Sequence, residues 1–169
     1  YHSLALKRDG TVVAWGCSGA DFGQCTVPAG LSGVKAIAAN GYHNLALKND
    51  GTVVAWGCGG TKNYGQCVVP AGLSGVVAIA AGGYHSLALK SDGTLVAWGC
   101  VAADAGQCKI PTGVSGVIAI SAGGGHNLAL TSGAAGFAAD TSAVTTGTLP
   151  ALDVLPPITV SEPVSGPAV

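Results

Sequence analysis

From His2 to Lys7 the chain alternates, with Leu4 and Leu6 on one face and Ser3 and Ala5 on the other. A period of two is that of a β-strand. Arg8-Asp9-Gly10 follows, and Thr11 to Trp15, rich in β-branched residues, reads as the returning strand. An Asp-Gly pair between two apolar runs predicts a hairpin with a type I′ turn, in which both central residues take positive φ. Gly16 to Gln24 reads as a loop, Val27-Pro28-Ala29-Gly30 as a turn and Val34 to Ala39 as a third strand. A short fourth strand is expected near Thr26 and Val27.

The pattern then returns, most fully in the stretch from Tyr42 to Gly83. His2, His43, His85 and His126 mark successive copies, about 41 residues apart. Trp15, Trp56 and Trp98 keep the same phase, as do the Asp-Gly pairs at Asp9, Asp50 and Asp92. Short strands repeating at this period predict an all-β fold of β-propeller-type blades, about three full repeats and a partial fourth, with a stacked solenoid as the alternative. Blades covered on both faces by their neighbours account for Ala and Gly where an exposed strand would carry Lys or Thr. Trp56 is expected to end a central strand and to be buried. The fourth copy keeps Gly124 to Leu130, after which Thr131-Ser132-Gly133 replaces the Asp-Gly turn and no Trp or Cys follows. Residues 1–130 are therefore read as the repeat domain. Residues 131–169, rich in Ala, Thr, Ser and Pro, are read as an extended tail or linker. In that tail Ile158, Thr159 and Val160 read as a short strand able to add to a neighbour's edge.

Composition changes the picture in one respect. Only 9% of residues are charged, against roughly 25% in an ordinary soluble domain. So little charge points either to an unusually compact protein or to a surface buried against other copies. The net charge is −1, which leaves no basic field for nucleic acid and no polybasic run for a membrane surface. No run of about 18 apolar residues marks a membrane span. The sequence has no initiator Met and no signal peptide and begins inside a repeat, as a processed protein or an excised fragment would. An incomplete copy at either end predicts head-to-tail assembly, either a closed ring or a helical filament.

Six cysteines at regular spacing read as a disulfide set formed in an oxidising compartment. They pair by position as Cys17 with Cys25, Cys58 with Cys67 and Cys100 with Cys108, each pair bracketing one loop. Closing a loop of about nine residues stabilises by about 2.5 kcal/mol in the chain-entropy account. The spacing is far from the Cys-x-x-Cys of zinc or thiol-redox sites, so no metal is expected. The four histidines hold one place in every copy and are read as structural, bonding backbone where blades meet. No nucleophile elbow, zinc-protease motif or phosphate loop occurs, so no catalytic residue, no cofactor and no enzymatic activity are expected. Asp21, Phe22, Lys62, Asn63, Tyr64 and Asp104 lie in the Cys-bracketed loops, which vary while the framework stays fixed. Variable loops on a rigid scaffold are the candidate recognition elements.

The segments GYHSLALKSDGTLVAWG (residues 83–99), Gly106-Gln107 and SGVIAISAGG (residues 115–124) resemble the regulator of chromosome condensation family, over residues 1 to about 130. The wording AWG, GQ, VPAGLSGV and AIAAG looks closest to its bacterial secreted-type members. The resemblance implies a seven-bladed propeller, which three copies cannot close. The cysteines after Trp-Gly and after Gly-Gln also depart from the family's usual residues. Family members that seize a protein partner with their loop faces, such as propeller-type β-lactamase inhibitors, suggest one role. Nucleotide exchange on the small GTPase Ran, the namesake's role, is not expected, since it belongs to the nucleus, where disulfides are rare. The leading expectation is a secreted, extracellular or cell-surface structural or adhesion module that assembles with other copies of itself. The alternative is a protein- or glycan-binding propeller using the Cys-bracketed loops.

Overall fold

The computed structural model describes residues 2–19, 21–101 and 104–132, so the tail strand expected at Ile158, Thr159 and Val160 lies outside the described residues. Ten strands form: β1 (Ser3–Leu6), β2 (Val12–Trp15), β3 (Val34–Asn40), β4 (His43–Lys48), β5 (Val53–Trp56), β6 (Val76–Ala81), β7 (Ser86–Lys90), β8 (Leu95–Trp98), β9 (Val117–Ala122) and β10 (Asn127–Thr131). They make four antiparallel sheets: β1-β2, β3-β4-β5, β6-β7-β8 and β9-β10. The fold is all-β, built of propeller blades. A single 3-10 turn, Gly60–Lys62, is the helical element among the described residues.

Each blade is offset from the sequence copy. The third strand of one copy pairs with the hairpin of the next, so β3 joins β4 after only Gly41-Tyr42. Trp56 therefore ends an edge strand, not the central one expected: β4 is central and β5 lies outside it. The expected fourth strand near Thr26 does not form. Thr26 N instead donates to Gly23 O at 3.1 Å and Leu31 N to Pro28 O at 3.2 Å. The segment is taken up by these two turns without strand pairing, and Val27 packs into the cluster that holds Trp56.

The hairpins also differ from the type I′ expectation. Lys7 N donates to Thr11 O at 2.8 Å and Gly10 N to Lys7 O at 3.0 Å, which encloses three residues instead of two. Gly10 supplies positive φ (79°) at the end of that loop, where a Cβ would be strained. Asp9 Oδ1 accepts from both Thr11 N (3.0 Å) and Thr11 Oγ1 (2.6 Å), and Asp50 and Asp92 repeat the arrangement.

Blade packing follows from alternation on the middle strands. Leu45 and Leu47 point one way, into a cluster with Val76, Ala81, Ala88 and Trp98 of the third sheet. Ala46 points the other way, against Val12, Val34 and Trp56. The leucines thus leave the second sheet toward the third, where Ala81 and Ala88 among the facing residues let the sheets approach closely. Burying each leucine stabilises by about 1.5–3 kcal/mol.

Candidate functional site

The loop after each Trp is closed by its own disulfide: Cys17–Cys25, Cys58–Cys67 and Cys100–Cys108, each with Cα atoms 6.1 Å apart. Among the described residues there is no free cysteine. The residue before each second cysteine is a buried glutamine: Gln24, Gln66 or Gln107. Its side chain closes the loop from within. Gln24 Oε1 accepts from Phe22 N at 2.5 Å, Gln66 Oε1 from Tyr64 N at 2.6 Å and Gln107 Oε1 from Ala105 N at 2.6 Å.

The backbone of the same glutamine grips the next blade. Gln24 O accepts from Asn44 Nδ2 (2.8 Å) and from Trp56 Nε1 (3.2 Å). Gln66 O accepts from Ser86 Oγ (2.9 Å) and Trp98 Nε1 (2.9 Å), and Gln107 O from Asn127 Nδ2 (2.6 Å). The approach is so close that a Cβ on Gly57 would stand 2.8 Å from Gln24 Cα. Sequence reasoning missed these glutamines, although Gly-Gln-Cys recurs in every complete copy.

The histidines complete each junction through side chains, not through the backbone as expected. His2 pairs with Asn44 Oδ1, His43 Nε2 lies 3.0 Å from Ser86 Oγ, and His85 Nε2 lies 2.8 Å from Asn127 Oδ1. Ser86 spends its one hydrogen on Gln66 O, so His43 Nε2 must be the donor. His43 Nδ1 and His85 Nδ1 are then buried acceptors with no hydrogen-bond partner. Burial, helped by the neighbouring His85 and His2, pushes the His43 pKa down to about 4. No group of three or more His, Cys, Asp or Glu among the described residues is placed to hold a metal ion.

The predicted recognition residues divide into two sets. Asp21, Asn63 and Asp104 occupy one repeat position and serve their own turns: their Oδ1 atoms accept from Gly23 N (2.8 Å), Gly65 N (3.0 Å) and Gly106 N (2.8 Å). Phe22, Lys62 and Tyr64 instead join a cluster with two residues that sequence reasoning missed, Tyr42 and Tyr84. Phe22 meets Tyr42 edge-on at 5.4 Å, Tyr42 stacks on Tyr84 at 5.8 Å, and Tyr64 meets Tyr84 edge-on at 4.8 Å. Lys62 Nζ lies 5.1 Å from the centre of the Tyr42 ring. All five are half-buried. The signal was a Tyr directly before His43 and before His85, where the fourth copy has Gly125.

The cluster ends abruptly. At the third loop Ala105 takes the place of Phe22 and Tyr64, and Gly125 that of Tyr42 and Tyr84. Beside the stacked tyrosines lies a cavity of about 500 Å³ lined by His2, Asn40, Tyr42 and Tyr84 and by glycine backbone. The two disulfide loops and two strand-opening turns thus present one aromatic surface on rigid supports.

Residues 1–24, 34–66 and 76–100 match the family model described as Regulator of chromosome condensation (RCC1) repeat. No curated protein sequence matches the chain. Among solved structures, the chain is similar to yeast RCC1 (Prp20) in its complex with Kap60, at 27% identity and a TM-score of 0.60, covering 77% of this chain and 39% of that one. It is similar to Prp20p of Saccharomyces cerevisiae, described with its binding to Gsp1p and histones, at 26% identity and a TM-score of 0.62, covering 78% and 41%. A further similar structure is the ectodomain of the Physcomitrella patens receptor kinase CR4, at 26% identity and a TM-score of 0.55, covering 73% and 31%. The chain spans less than half the length of each of these proteins. Two of the matched segments begin at Val34 and Val76, the first residues of β3 and β6, so the family's repeat and the blade coincide. With its blades, its Gly-Gln loops and its junction histidines in that register, the chain belongs to the regulator of chromosome condensation repeat family.

Proposed function

We propose that this chain is a non-enzymatic propeller segment that binds a protein partner across its loop face, with Phe22, Tyr42, Tyr64, Tyr84 and Lys62 as the contact. The observation that carries this reading is the continuous aromatic cluster held half-buried across two disulfide-closed loops and two strand-opening turns. Tyrosines fixed by neighbours lose little entropy on binding and supply large contact area, which is why such residues dominate interface energetics. Yeast RCC1 with Kap60 bound lends support, as a similar fold that engages a protein. Three disulfides and the similarity to a receptor ectodomain favour an extracellular setting.

The test compares the chain with a Tyr42→Ala/Tyr84→Ala double variant and with a Lys48→Ala/Asp50→Ala variant in the hairpin loop. Partners retained from the extracellular fraction of the source cells are identified. A partner kept by wild type and by the hairpin variant, but lost from the double variant, is the expected result. Equal retention by all three overturns the reading.

A second reading, a self-assembling structural or adhesion module, is favoured by a separate observation. Trp15 is 51% exposed, and Leu128 and Leu130 are 63% and 60% exposed. The same repeat positions at internal junctions, Trp56, Leu45 and Leu47, are buried. Sedimentation over a concentration series checks it: polymers abolished by Leu128→Glu support assembly, and a monomer throughout removes it.

A further inference from the structure

The fourth sheet differs from the second and third in one respect. In those sheets the middle strand, β4 or β7, is paired on both edges, whereas β10 pairs with β9 alone among the described residues. Beside the other edge of β10 runs a cavity of about 400 Å³ whose lining includes Leu95, Ile110, Val114 and Ala129.

Those four residues occupy repeat positions with a defined use elsewhere in the molecule. At the junction of the first and second sheets the same positions are Val12, Val27, Leu31 and Ala46, and they pack with Val54 and Trp56 of β5. At the junction of the second and third sheets they are Val53, Val69, Leu73 and Ala88, and they pack with Val96 and Trp98 of β8. The register is equally repeated: Ala46 stands opposite Val54 and Asn44 opposite Trp56, while Ala88 stands opposite Val96 and Ser86 opposite Trp98. The cavity is therefore the socket of a Val-Ala-Trp strand, with its wall residues in place.

We propose that the edge of β10 left unpaired among the described residues, together with this cavity, forms a second binding site, distinct from the aromatic cluster, for an extended segment of the pattern Val-Ala-Trp. The segment adds antiparallel to β10, with its valine opposite Ala129 and its tryptophan opposite Asn127. Main-chain hydrogen bonds to an open strand edge supply affinity for any extended chain. The apolar socket supplies selection, because the indole fills the volume that Trp56 and Trp98 fill in their own blades.

The probe is a fluorescently labelled peptide of residues 50–57, Asp-Gly-Thr-Val-Val-Ala-Trp-Gly, titrated with the full 169-residue chain and followed by anisotropy. Saturable binding at one peptide per chain is expected. Replacing the peptide's Trp by Ala, or Val114 of the chain by Asp, weakens it at least tenfold, and hydrogen exchange at residues 127–131 slows when peptide is bound. Near-UV circular dichroism establishes that the Val114→Asp chain is folded, and Ala129→Arg, at an exposed position, serves as the second variant. Absence of saturable binding, including through occupation of the socket by the chain's own residues beyond 132, overturns the proposal. So does binding indifferent to the Trp or to both chain variants.

Discussion

At the scale of single residues, the junctions turn on groups that cannot be exchanged freely. Trp56 and His43 are both buried, at successive junctions, yet their removal should differ in cost. Trp56→Ala opens a cavity in the cluster of Val12, Val34 and Ala46, for about 3–5 kcal/mol. His43→Ala strands Ser86 but also removes the partnerless Nδ1, so its loss should be about 1–2 kcal/mol. Urea unfolding of the two variants checks the order, and equal small losses would contradict the burial of Trp56. The same histidine makes stability depend on pH. Its folded pKa, about 4, lies below the ordinary value of 6.5. The unfolded chain therefore binds the proton first, and the contribution is complete above pH 6.5 and lost as pH falls from there toward 4. The loss is on the order of 3 kcal/mol. Urea midpoints at about pH 7.5, 5.5 and 4.5 should fall in wild type and flatten in His43→Ala. The three hairpin aspartates add nothing comparable in that window: hydrogen bonds from Thr11 and Thr52 hold Asp9 and Asp50 at about 2, and those from Thr94 depress Asp92 further. Glycine matters where backbones touch. Gly57→Ala, at φ 96° with Gln24 Cα 2.8 Å from the new Cβ, should cost about 2–4 kcal/mol. Gly72→Ala, at φ 76° but with open space around it, should cost only about 1 kcal/mol, the backbone strain alone.

At the scale of elements, each disulfide acts on the blade beyond its own. Cys25 and Cys67 directly follow Gln24 and Gln66, whose carbonyls hold the indole and the Asn or Ser of the next sheet. Opening Cys58–Cys67 with a Cys58→Ser/Cys67→Ser pair should cost about 2–3 kcal/mol. It should also expose Trp98, the indole held by Gln66, more than Trp56. Acrylamide quenching of single-Trp versions separates these, and equal quenching would mean that the loop keeps its place without the bond. The strands themselves were legible because Leu4 and Leu6, or Leu45 and Leu47, alternate with small residues at period two. The Asp-Gly signal found the hairpins but not their three-residue loops, which depend on Thr11 and its repeats capping the Asp. Sheet membership was the harder step. Val34–Asn40 reads as the end of one copy, and only the short Gly41-Tyr42 link ties it to the next blade. The glutamines escaped because a polar residue between Gly and Cys looks like solvated loop, whereas Gly57 and Gly99 of the following blades press against Gln24 and Gln66.

At the scale of the whole molecule, the repeat is regular in its framework and irregular on its loop face. The cysteine loops were legible as candidates, and three of their six predicted residues, Phe22, Lys62 and Tyr64, do meet in the aromatic cluster. Tyr42 and Tyr84 were not legible, since they belong to the strand-opening turns and join the loops only when adjacent blades pack. The framework continues into the fourth copy, where Asn127 still bonds Gln107 O and His85. The aromatics do not continue, because Ala105 and Gly125 stand in their places. That asymmetry yields a test of whether the surface is modular. Gly125 has open space where a Cβ would stand and does not require positive φ, so Gly125→Tyr should fold without strain. The repeat geometry places the new ring beside Tyr84 as Tyr84 sits beside Tyr42, and Ala105→Phe supplies its edge-on neighbour. The double variant should keep wild-type stability to within about 1 kcal/mol, since surface changes away from buried groups seldom do more. Its near-UV circular dichroism should gain intensity from the extended stack. A stable protein with an unchanged near-UV spectrum would show that the aromatic row depends on more than its repeat positions, and would tie the candidate surface to the first two junctions alone.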